Sequence, residues 1–76
     1  MQIKILVSTS INCKIFEKRV YEAVSAKGIF AEIERIHYLP DMLKYGVIYT
    51  PALVIEGKLV SSGKILTSEA ISRLIH

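Results

Sequence analysis

The sequence predicts an α/β fold in which one mixed, four-stranded sheet is flanked by three helices in the order β-α-β-α-β-β-α. Three observations predict it. Apolar, largely β-branched runs of strand length, such as Ile3 to Val7 and Ala52 to Ile55, alternate with segments whose apolar residues recur at helical spacing. The first two strands are separated by a helix-length segment, the mark of a parallel crossover. The last two are separated only by Glu56-Gly57-Lys58, a tight turn that joins an antiparallel hairpin.

Each element follows from its residues. Ile3 to Val7 reads as a buried strand, ended by the turn and N-cap chemistry of Ser8-Thr9-Ser10. From Cys13 the apolar positions Phe16, Val20, Ala23 and Val24 recur at helical spacing, and Gly28 after Lys27 closes that helix. Ile29 to Ile36 is a second strand, with Phe30 and Ile33 as its apolar positions against Glu32 and Glu34. Leu39 to Gly46 has Pro40 at a helix start and Gly46 at its end, and it is short. After Thr50-Pro51, Ala52 to Ile55 and Leu59 to Ser61 form the hairpin. Thr67 caps a final helix from Ser68 to Ile75, with Leu66 and Ile71 placed to form a hydrophobic staple.

A chain of 76 residues is long enough for one compact domain and too short for two, so residues 1–76 are expected to form a single domain. A domain this small buries only about 60% of the surface its unfolded chain exposes and needs a dense core or a staple. The 51% hydrophobic content supplies the core. Cys13 is the only cysteine, which excludes an internal disulfide, a zinc site of several thiolates and a disulfide-stapled secreted scaffold. A reducing, cytoplasmic compartment is expected.

Gln2-Ile3-Lys4-Ile5 has the alternation of a strand and not the layout of a signal peptide. Every hydrophobic stretch is interrupted well before the ~18 residues of a membrane span, so no membrane partner is expected. The net charge of +3 is spread along the chain with acidic residues between many of the basic ones, which reads as a solvated surface and not a nucleic-acid footprint. His37 and His76 are too isolated to suggest a metal or a catalytic base. No cofactor is implied.

Three local features narrow the fold further: Ser10-Ile11-Asn12-Cys13 between the first strand and helix, Thr50-Pro51 before the third strand, and Gly63 past the hairpin. With Lys44-Tyr45-Gly46-Val47 and the run from Thr50 to Gly63, they make the whole chain resemble the thioredoxin superfamily, and most closely its small glutaredoxin-like, redox-active disulfide proteins. The resemblance implies a thioredoxin-like fold and thiol-disulfide oxidoreductase activity. It matches Cys13 to the second, resolving cysteine of a C-x-x-C loop and Ser10 to the position of the first, nucleophilic one. It also implies a cis bond at Thr50-Pro51 facing the Ser10 loop, a substrate-pairing backbone at Thr50, and a substrate face that takes in Tyr49 and Gly63. The implied partner is a protein or small-molecule thiol or disulfide, with a thioredoxin-reductase-like electron donor. Oligomeric state is not legible from pattern.

The serine at position 10 departs from the family. A serine hydroxyl is essentially never ionised near neutral pH without a dedicated base, and the loop offers none. One thiol cannot cycle between dithiol and internal disulfide, so ordinary dithiol turnover is expected to be absent. Two origins stand open for Ser10, a laboratory replacement of cysteine and a natural loss. Two readings also stand for Cys13. It shares a helical stripe with Phe16 and Val20, as an inert core residue would; it also lies in the first turn of a helix, where unpaired amides favour a thiolate. The S-x-x-C spacing puts Ser10 at the helix start with its hydroxyl near the Cys13 sulfur, within disulfide reach if both positions were cysteine. Tyr49 is expected to pack at the strand end.

The alternative function is a non-catalytic peptide-binding module of the same fold, which keeps the groove beside Pro51 without redox chemistry. An RNA-binding domain is excluded because the middle strands lack stacking aromatics, and a soft-metal chaperone because one cysteine forms no paired thiolate site.

Overall fold

The computed structural model describes residues 1–75. The elements are β1 (Gln2–Leu6), α1 (Ile11–Lys27), β2 (Glu32–Ile36), α2 (Leu39–Leu43), β3 (Ala52–Ile55), β4 (Lys58–Ser62) and α3 (Ser68–Leu74). The strands form one sheet in the order β2-β1-β3-β4. β1 runs parallel to β2, as a strand-helix-strand unit through α1 requires, and antiparallel to β3. The β3-β4 hairpin turns on Glu56 and Gly57, both at positive φ, and the pairing carries a register shift between Leu53 and Val54. This mixed sheet with three helices is the thioredoxin-like fold.

Strand alternation divides the core between the two faces of the sheet. Ile3, Ile5 and Val7 of the first strand and its exit join Leu53 and Ile55 in packing against Cys13, Phe16, Val20 and Ala23 of α1 and Ile71 at α3. On the opposite face Leu6, Ile36, Ala52 and Val54 pack against Met42 of α2 and Val47. Two cations of α1 tie down the ends of α3: Arg19 donates to the Leu66 carbonyl and Lys27 to that of Ile75. Thr67 caps α3 by accepting from the Ala70 amide, with Leu66 and Ile71 in the same apolar cluster.

Three expectations need correction. The second strand is shorter than Ile29 to Ile36, and Phe30 is 92% exposed. Side chains alternate along extended backbone, so Ile29, Ala31 and Ile33 share one phase and pack against the core, which turns Phe30 outward with Glu32 and Glu34. The last helix ends at Leu74; Ile75 is extended, yet fully buried. Tyr49 does not pack as a strand-end aromatic, since it precedes β3 in an exposed loop and is itself 70% exposed. His37 is exposed, and His76 lies outside the described residues.

Candidate functional site

The exit of β1 is fixed by the Val7 amide, which donates to the Ile36 carbonyl at 2.9 Å. The chain then turns through Ser8 and Thr9 into α1, whose N-cap is Ser10 in extended conformation. The Ser10 hydroxyl accepts from the Cys13 amide at 3.2 Å, and the Ser10 carbonyl accepts from Lys14. This satisfies donors that a helix start otherwise leaves free. It also fixes Ser10 and Cys13 one helical turn apart, as neighbours on the same side of α1.

Cys13 is 1% exposed. Its sulfur accepts from the Ser8 amide at 3.4 Å and contacts the Ser8 hydroxyl at the same distance. Burial pushes the thiol pKa up, while hydrogen bonds from the hydroxyls of Ser10 and Ser8, the Ser8 amide and the Thr50 hydroxyl pull it down by more, leaving it below its ordinary value of 9.0. Cys13 is thus part of the core, as its helical stripe predicts, and its sulfur meets polar groups at the turn that precedes the helix.

The loop before β3 reaches the same place. The Thr50-Pro51 peptide is cis and Pro51 is buried. Gly63 holds this loop from the far side: its amide donates to the Pro51 carbonyl at 2.8 Å, while the Ser62 hydroxyl donates to the Tyr49 carbonyl at 2.9 Å. A side chain at position 63, where φ is 73°, would place its Cβ 2.9 Å from that of Tyr49. Position 63 thus admits only glycine without movement of the loop. An open pocket of about 270 Å³ is lined by Val7, Ser8, His37, Leu39, Met42, Val47, Ile48 and Thr50. Leu39 and Ile48, which line that pocket, are exposed, as are Tyr49 and Ile11.

The structure brings Ser10, Cys13 and Thr50 together, with Pro51, Tyr49 and Gly63 linked behind them. Sequence reasoning missed Ser8, which makes two of the contacts to the sulfur. Its signal was weak, a hydroxyl residue at a strand exit five residues before a cysteine. Among the described residues, no group of His, Cys, Asp and Glu is gathered as a metal site demands, and no helix is long and apolar enough to cross a membrane.

A strand leading into a helix that begins one turn before a cysteine, beside a cis-proline loop, on a β2-β1-β3-β4 sheet, defines a protein of the thioredoxin class. The chain matches the family model described as thioredoxin domain over residues 1–76. It is 33% identical over 75 residues to a thioredoxin of Methanothermobacter thermautotrophicus, an alignment covering 99% of this chain and 97% of that protein. The chain belongs to the thioredoxin-domain family, and its scaffold is that of a thiol-disulfide oxidoreductase.

Proposed function

We propose that the protein is a thioredoxin-fold thiol-disulfide exchange scaffold of the small glutaredoxin-like kind that carries one of its two reactive positions, with Cys13 in the resolving place and Ser10 where the nucleophile belongs. The observation that carries this reading is the cap itself: Ser10 bonds the Cys13 amide at the exposed start of α1, while the Cys13 sulfur is buried behind it among hydrogen-bond donors. Position 10 has the access that an attacking sulfur needs, and position 13 has the enclosure that suits a second, internal attack. Tyr49, Thr50, Pro51 and Gly63 form the face on which an extended protein thiol or disulfide lies, with the exposed Tyr49 ring offering apolar contact. Electrons for turnover would come from a thioredoxin-reductase-like donor, in a reducing compartment.

The chemistry of the complete site explains what the serine removes. A thiolate at position 10 attacks a disulfide, bonding to one sulfur and releasing the other as thiolate. The Cys13 thiolate then attacks the sulfur at position 10, expels the bound partner as its thiolate and closes an internal disulfide, so that the two-electron reduction of the partner equals the oxidation of the pair. With Ser10 the first bond does not form. The geometric half of this reading is tested by oxidising the Ser10→Cys variant and counting free thiols. Loss of both thiols in monomeric protein is expected, and retention of both under conditions that oxidise a small dithiol would overturn it.

A further inference from the structure

We propose that Ser8 is the positioning residue of the Cys13 thiol, a hydroxyl rotor that serves the protonated and the ionised sulfur in turn. The two Ser8 groups that meet the sulfur differ in kind. The amide is held in direction by β1, whose exit is pinned to Ile36, and it always donates. The hydroxyl lies 3.4 Å from the sulfur with either atom able to donate, and 3.4 Å from the Ser10 hydroxyl, to which it also donates. It accepts in addition from the Ser10 amide.

One hydroxyl hydrogen therefore has two acceptors. When Cys13 is protonated, its S–H donates to Ser8 Oγ, and the Ser8 hydroxyl turns to Ser10. When Cys13 is ionised, the hydroxyl turns to the sulfur and joins the amide, giving the thiolate two donors from one residue. A separation of 3.4 Å is long for oxygen to oxygen and ordinary for oxygen to sulfur, so the turn toward an anionic sulfur is favoured. The Ser10 amide, donating to the same oxygen, polarises the hydroxyl in the direction that strengthens its donation.

The packing leaves this task to dipoles. The core cluster that holds Cys13 draws Ile5 from β1, Val7 from its exit, Leu53 from β3 and Ile71 from α3. The ionisable groups nearby are Lys14 and Glu17 on α1 itself and His37, which lines the pocket shared by Ser8 and Thr50. The causes that set the direction of the thiol are burial, which raises it, and hydrogen bonds from Ser10, Ser8 and Thr50, which lower it. Ser8 is exposed on its other side, so removing its hydroxyl leaves the core intact.

The consequence for exchange rests on the reading of position 13 as the resolving thiol; the positioning itself does not. The test is the titration of Cys13 followed by its 13Cβ chemical shift and by thiolate absorbance in the unmodified chain, Ser8→Ala and Ser8→Thr. The expected result is a midpoint moved upward in Ser8→Ala and returned by Ser8→Thr. A midpoint unmoved or lowered in Ser8→Ala, or moved as far in Ser8→Thr, would overturn the proposal. Turnover by Ser10→Cys tests the exchange reading separately, so the failure of one is distinguishable from the failure of the other.

Discussion

The Ser10 hydroxyl accepts the Cys13 amide at 3.2 Å, and this one bond serves both the helix and the site. It caps α1 and orients the first turn on which the sulfur is carried. Replacing a serine cap by alanine costs roughly 1 kcal/mol, and by glycine a few tenths. Ser10→Ala is expected to lower the melting temperature by about 4–8 °C, and Ser10→Gly by much less. Thermal denaturation followed by circular dichroism checks the order; equal melting of all three forms would contradict the capping role.

Gly63 governs the cis-proline loop from outside it. A methyl group there meets the Tyr49 Cβ at 2.9 Å on a backbone at φ 73°, a conformation that costs a side chain about 1–3 kcal/mol. Gly63→Ala is expected to be destabilised by that order and to shift the amide resonances of Tyr49 and Thr50. Unchanged resonances with unchanged stability would mean that the loop gives way freely.

The Cys13 thiol is depressed in the folded state, and the sign of its linkage follows. Between the folded pKa and the unfolded value of 9.0, the unfolded chain binds more protons, so stability rises with pH across that window and is lost again as pH falls through the folded pKa. Denaturant melts of the unmodified chain and Cys13→Ala across this range should diverge with increasing pH, in favour of the chain that holds the thiol. A constant difference would show that the folded and unfolded thiols titrate alike.

The two phenylalanines are opposites. Phe16 is fully buried between the sheet and α1, so Phe16→Ala is expected to cost about 3–5 kcal/mol. Phe30 is exposed, and Phe30→Ala should remain within about 0.5 kcal/mol of the unmodified chain. Urea melts of the two variants compare them directly, and similar losses would contradict the packing described.

That contrast also shows what was legible in the sequence. The periodicity of Cys13, Phe16, Val20 and Ala23 named the buried stripe of α1 because helical spacing is unambiguous over about three turns. Ile29 to Ile36 misled because its run of alternate residues holds apolar side chains in both phases, and only the pairing with β1 decides which phase faces in. Thr67, Leu66 and Ile71 were readable since a cap and its staple are local. Tyr49 and Ser8 were not, because their surroundings are made by residues distant in sequence or by the turn at the β1 exit. The approach of Thr50 to Cys13 was legible only through family resemblance, since nothing local to either residue signals the other.

The central claim is that this scaffold lacks a single sulfur atom for dithiol exchange, and turnover of insulin disulfides with a recycling reductant tests it most directly. The unmodified chain is expected to give no catalysis above the reductant alone, and Ser10→Cys to reduce insulin over many cycles. A Ser10→Cys variant that folds and exposes its new thiol without turnover would contradict the account, as would comparable turnover by the unmodified chain.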